Sequence, residues 1–203
     1  TLSPSSAASD VYKRQVMGIS EDIEAKLTDT IMLCAYYPNE QKVSILSIPR
    51  DTFVGNSTTS ADSYDKINAL YQTSPEKTLE AVRNLTGIDV RNYVVISNNA
   101  LRDVVDEIGG VYFDVPMNMN YDDWGQKLHI NLKKGYQLLD GDKAEQLVRF
   151  RHNNDGTTYP SEYGTQDIGR MRTQREFLKA AATQILSGNN IFKIDDIMQV
   201  VFE

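Results

Sequence analysis

The run TDTIMLCAYYPNEQKVSILSIPRDT, Thr28 to Thr52, decides the fold. Its first apolar block, Thr30 to Tyr37, is continuous and bounded by Asp29 and Pro38, which suits a strand covered on both faces. The four residues PNEQ read as a hairpin-like turn, and Lys42 to Ile48 form the returning strand. That strand ends in Pro49, Arg50 and Asp51. Proline cannot donate to a ladder and helps end the pairing. A charged pair therefore emerges where a buried strand stops, a usual place for ligand groups in open α/β sheets. Hairpin pairing also brings Asp29 close to the sheet end where Arg50 emerges. A carboxylate beside a phosphate-binding arginine makes sense if a divalent cation joins them, because Mg²⁺ needs only one or two carboxylates plus phosphate oxygens and water. The plainer readings are an ion pair that ends the strand for Arg50 and Asp51, and a cap for Asp29.

Strand and helix patterns interleave along the rest of the chain. Val16–Ser20 is read as a short first strand. Tyr93–Ser97, Val111–Pro116 and His129–Leu132 are also read as strands. Helical spacing predicts Thr78–Gly87 and Asn99–Gly110, each with a glycine stop, then Gly141–Arg151 and Asp167–Gly188. This order gives an α/β class with a central, mixed sheet flanked by helices. YDDW, Tyr121 to Trp124, is read as an ordinary polar loop in preference to a cation or sugar site. The segment His152–Gln166 is the one long irregular stretch, of the kind that often carries function.

Composition bounds the function. The 203 residues are 40% hydrophobic, enough for a sizeable core, and carry a net charge of −7. That balance argues against nucleic-acid binding through bulk charge. The single cysteine, Cys34, excludes an intrachain disulfide. No stretch approaches a membrane span in length. Residues 1–15 lack periodicity and are read as a non-native or disordered leader, and residues 16–203 as one domain cut at both ends.

The arginines are unevenly placed. Five of the ten fall between Arg149 and Arg175. Arg149 and Arg151 lie two apart near a helix end, and Arg170 and Gln174 share one face of the next helix. Guanidinium groups grip phosphate oxygens bidentately, which lysine cannot do. Phe177, Leu178 and Ile185 lie on the same helix, so the group suits a ligand with a phosphate head and an oily body. The competing reading is a set of surface ion pairs. His129 and His152 lack metal-ligand spacing.

Taken in order, TDTIMLCAYYPNEQKVSILSIPRDT, KINALY, IGGVYFDVP, GYQLLDGDKAEQLVRFR and DIGRMRTQREF resemble the LytR-CpsA-Psr family of bacterial cell-wall enzymes, over about Val16 to Gly188. The resemblance implies a membrane-anchored domain on the outer face of the cytoplasmic membrane. Its N-terminal anchor would lie outside this sequence. It implies transfer of a glycopolymer, of teichoic acid or capsule type, from a polyprenyl-pyrophosphate carrier to peptidoglycan, with Mg²⁺ as cofactor and no nucleic-acid partner. It makes Asp29 the metal residue and Arg50 the pyrophosphate-binding residue implicated in catalysis. Asp29 or Asp51 would help deprotonate the acceptor. Arg149, Arg151 and Arg170 would grip the pyrophosphate, with Gln174 on the same helix as Arg170, and Lys66 and Asn68 of KINALY near the site. The chain departs from the family pattern at Ser20, Leu27 and Thr173, where a carboxylate and two arginines are usual. A polyprenyl-pyrophosphate pyrophosphatase and a non-catalytic lipid-binding module are the rival readings.

Overall fold

The computed structural model describes residues 12–19, 28–37, 42–56, 58–60 and 62–186. Ser20, Leu27, the PNEQ turn and the stretch after Leu186 lie outside them. Eight strands and four α-helices are described: β1 (Tyr12–Ile19), β2 (Thr28–Tyr37), β3 (Lys42–Ile48), α1 (Pro75–Thr86), β4 (Asn92–Ser97), α2 (Asn98–Glu107), β5 (Val111–Val115), β6 (Met119–Asp123), β7 (Leu128–Leu132), β8 (Gly135–Leu139), α3 (Gly141–Arg149) and α4 (Gln166–Leu186). β1 begins at Tyr12, four residues earlier than the sequence pattern suggests. The chain divides into two compact units, one formed by Leu27–Val95 with the larger part of β1, the other by the residues from Ile96 onward. Among the described residues, no helix is long and apolar enough to cross a membrane.

The first unit is built on a four-stranded sheet in the order β3-β2-β1-β4. β2 and β3 pair antiparallel, from Tyr37 opposite Lys42 to Ile31 opposite Ile48. Ile31, Met32 and Leu33 are buried in succession, which requires cover on both faces, as the unbroken apolar run implies. Ile31, Leu33 and Ile48 join Leu79 and Val82 of α1 in one core. α1 starts three residues before the predicted Thr78, because Ser74 caps it through the Lys77 N–H and Pro75 occupies its first position. It ends where expected, at Gly87, whose φ of 68° only glycine adopts cheaply.

In the second unit the later strands form two separate two-stranded ribbons, β5 with β8 and β6 with β7, and do not join the four-stranded sheet. β5 alternates buried Val111, Phe113 and Val115 with exposed Tyr112 and Asp114. Phe113 meets Phe177 of α4 edge-on, with ring centroids 5.7 Å apart. Val105, Ala144, Leu147, Phe150 and Phe177 close the core from helices α2, α3 and α4 and the residue after α3. α3 stops at Arg149, so Arg151 stands beyond the helix rather than on it.

Candidate functional site

Arg50 and Asp51 form the corner of a turn. Thr52 N–H donates to Pro49 O at 3.0 Å, and the Thr52 hydroxyl donates to the same carbonyl at 2.7 Å. KINALY braces this corner from behind. Val54 N–H donates to Asp65 O (2.8 Å), Ile67 N–H to Thr52 O (2.9 Å) and Asn68 N–H to Arg50 O (3.2 Å). These main-chain bonds explain why Ile67 and Asn68 are buried, and why Lys66 is presented at the corner. Continuing the β2–β3 register by two residues past Ile31 and Ile48 sets Asp29 opposite Arg50. Arg50 Nη1 donates to Asp29 Oδ1 at 2.8 Å. Arg50 Nε lies 3.8 Å from Asp51 Oδ2, and Lys66 Nζ donates to Asp51 Oδ1 at 2.7 Å. All four sequence-predicted groups of this unit therefore meet. The Asp51–Lys66 contact is one that sequence reasoning did not identify. Among the described residues, Arg50 Nε is buried without a hydrogen-bond acceptor, a donor with capacity to spare.

In the second unit each predicted arginine meets a carboxylate that the sequence reading passed over. Arg149 Nη1 contacts Glu145 Oε1 at 2.8 Å, one turn earlier on α3, and Arg149 Nη2 donates to Gln126 Oε1 at 3.1 Å. Glu145 Oε2 holds Arg102 from α2 at 2.9 Å. Asp167 Oδ1 lies 2.8 Å from Arg170 Nη2 and 3.4 Å from Arg151 Nε, and so brings those two arginines together. Arg149 and Arg170 are only 12% and 11% exposed, whereas Arg151 is 42% exposed. The signals were present as Glu145 and Asp167, four and three residues before their arginines. Gln174 donates to the Val148 carbonyl at 2.9 Å and is buried, so it fastens α4 to α3. Thr173, one of the departures, is fully buried and hydrogen-bonded to the Tyr163 hydroxyl at 3.1 Å. Tyr163 stacks on Tyr159 and lies under the Arg172 guanidinium, 4.3 Å from its ring centroid. These contacts order the segment before α4, which makes one isolated bridge, His152 with Thr158.

Among the described residues, no three His, Cys, Asp or Glu side chains gather as a metal-holding group. The carboxylates at the Arg50 corner are Asp29 and Asp51. Mg²⁺ binds through one or two carboxylates with phosphate oxygens and water, so this sparse, hard donor set fits an ion shared with a phosphate ligand, not a protein-only cage.

In each unit of this α/β fold the arginines at strand and helix ends meet a carboxylate partner. The chain belongs to the LytR_cpsA_psr family, whose profile matches residues 9–203. It is 31% identical over 178 residues to the Bacillus subtilis protein named polyisoprenyl-teichoic acid–peptidoglycan teichoic acid transferase TagV, covering 87% of this chain and 43% of that protein. The TagU transferase of the same organism is 27% identical, with 95% of this chain and 58% of that protein covered. The crystal structure of B. subtilis TagV superposes with a TM-score of 0.74 at 29% identity, over 96% of this chain and 72% of the other. The chain thus spans about half the length of these relatives' sequences.

Proposed function

We propose that this chain is the catalytic part of a phosphotransferase that moves a glycopolymer from a polyprenyl-pyrophosphate carrier to peptidoglycan, at the outer face of the cytoplasmic membrane. Family membership and the names of the relatives support the reaction class. The observation that carries the reading is the Arg50–Asp29 pair at 2.8 Å, on a corner locked by KINALY. A rigid corner holds a guanidinium in place before the ligand arrives, so little is lost in ordering it.

In the reaction, a peptidoglycan sugar hydroxyl forms a bond to the glycan-side phosphorus. The bond from that phosphorus to the bridging oxygen breaks, and polyprenyl phosphate departs with the oxygen. Arg50 stabilises charge on the transferring phosphate. Asp51, half exposed and held by Lys66, accepts the hydroxyl proton. Asp29 is the residue that would hold Mg²⁺, and a bound ion would add positive charge beside the phosphate oxygens. In the second unit, Arg149, Arg151 and Arg170 are assigned the same task of gripping phosphate oxygens, with Gln174 as a positioning residue.

The test incubates the protein with labelled polyprenyl-pyrophosphate glycan, peptidoglycan oligomers and Mg²⁺. Label reaching peptidoglycan is expected, and it disappears with Arg50→Ala and on chelation. Arg50→Lys keeps charge without the fork, and its rate falls by about a hundred-fold. Free phosphorylated glycan alone would identify a hydrolase. Carrier binding without turnover would leave a lipid-binding module.

A further inference from the structure

We propose that Thr158 is a positioning residue, whose single hydroxyl sets the spacing between Arg151 and the first turn of α4, where Asp167 and Arg170 stand. The inference rests on the assignment of Arg151 and Arg170 to phosphate oxygens in the proposed function, and it names what holds those two arginines in register. No regular element does so. Arg151 lies beyond α3, and Arg170 lies on α4, which begins at Gln166. The long irregular segment from His152 runs between them. The side chains alone fix little. Arg151 Nε is 3.4 Å from Asp167 Oδ1, and the two side chains are 42% and 31% exposed, so this ion pair is long and screened by water.

Thr158 fixes the main chain instead. Its hydroxyl donates to the Arg151 carbonyl at 2.8 Å and accepts the Gln166 N–H at 2.9 Å. A hydroxyl carries one donor and two acceptor sites, so one oxygen ties both stretches of chain at once. The isolated bridge to His152 seats Thr158 beside the residue that follows Arg151. The neighbouring Tyr159 is a separate anchor. Its buried ring meets Phe150 edge-on, with centroids 5.3 Å apart, and its hydroxyl donates to the Phe150 carbonyl at 3.1 Å. Tyr159 therefore holds the segment to the core, whereas Thr158 ties it to the start of α4.

A second observation marks the same place. Gln166 has a φ of 47°, in the left-handed region that a residue with a side chain adopts only at a cost. Such strain persists where surrounding bonds over-determine the backbone, and it gathers at functional sites. The bond from the Gln166 N–H to Thr158 is one of those bonds. Gln166 directly precedes Asp167, the carboxylate that meets both arginines. A diphosphate keeps its oxygens at set distances, so the guanidiniums that grip it must stand at matching places. A displacement of about 1 Å costs up to about a hundred-fold in such arrangements.

The test measures binding of inorganic pyrophosphate by calorimetry, in Mg²⁺ buffer and well below the melting temperature of each variant. Thr158→Val keeps the shape without the hydroxyl and weakens binding about ten-fold or more. Thr158→Ser restores the hydroxyl and stays within about two-fold of the parent. Tyr159→Phe removes the other anchor, lowers the melting temperature and leaves pyrophosphate affinity unchanged, which separates positioning from stability. Where the valine variant fails to fold, Thr158→Ala carries the same measurement. Parental affinity without the hydroxyl, an equal loss in Thr158→Ser, or no pyrophosphate binding by the parent overturns the inference. Transfer to peptidoglycan is scored separately. Hydroxyl-dependent pyrophosphate binding without transfer keeps Thr158 in its role and sinks the transferase reading, and transfer with binding indifferent to Thr158 does the reverse.

Discussion

Replacing Gly169 with alanine tests the packing that sets α4 against the segment before it. An added Cβ would lie 2.2 Å from the Gly164 carbonyl oxygen and 2.3 and 2.5 Å from Cδ2 and Cγ of Tyr159. Neither obstacle is the tip of a flexible side chain. Gly164 sits at φ 101°, and the buried Tyr159 ring is pinned by its hydroxyl to the Phe150 carbonyl at 3.1 Å. Alanine gains about 1 kcal/mol of helix propensity over glycine. Overpacking costs about 1–3 kcal/mol, and a backbone obstacle places this site at or beyond the upper end. The net loss is about 2 kcal/mol, which lowers the melting temperature by about 4–8 °C for a chain of this size. Circular dichroism melts of Gly169→Ala and the parent measure it. An unchanged or raised melting temperature would refute the reasoning, because propensity alone would then have decided the outcome.

Two further outcomes are expected. Asp140 caps α3 by accepting the Lys143 N–H at 2.9 Å, and this backbone bond leads the causes that hold its carboxyl below the ordinary 3.8. Its contribution is full above 3.8 and is lost as pH falls through the lowered folded-state value. Asp140→Asn therefore narrows the loss of urea resistance seen on acidification, and an unaltered pH profile counts against the cap. Burial pushes the Cys34 thiol up to about 11, so at pH 8 only about one molecule in a thousand carries thiolate. Iodoacetamide should label Cys34 in denaturant and far more slowly in the folded protein, and rapid native labelling seen by mass spectrometry would contradict the raised thiol of this half-buried side chain.

The Arg50 corner was legible because every signal for it lies within one hairpin. An apolar run, a proline and a register carry Asp29 to Arg50, and the structure pairs them. The α/β class was legible because strand and helix patterns interleave along the chain. β6 and β8 were not read as strands. Tyr121–Trp124 looks like polar loop because β6 carries one fully buried residue, Met119, ahead of a polar run, and β8 fully buries only Leu139. With one fully buried position each, the alternation that marks a strand is weak. The second-unit arginines were visible as a cluster, but their partners were not weighed. Glu145 serves Arg102, 43 positions away, and no local pattern announces such a pair. The reading of Gln174 with Arg170 on one face correctly placed both on α4, yet Gln174 turns to the Val148 carbonyl as a structural fastener.

The carboxylates beside these cations have a thermodynamic consequence. Asp29 on Arg50, Asp51 on Lys66, Glu145 on Arg149 and Asp167 on Arg151 and Arg170 are tethered rivals of any incoming anion. A tethered group competes at a high effective concentration, on the order of millimolar or above. Chloride or acetate offers each guanidinium no more than the resident carboxylate already gives. The proposed diphosphate ligand would bind by displacing residents, so its affinity at each pair would be an exchange constant, and the chain's own acidic residues would set the selectivity.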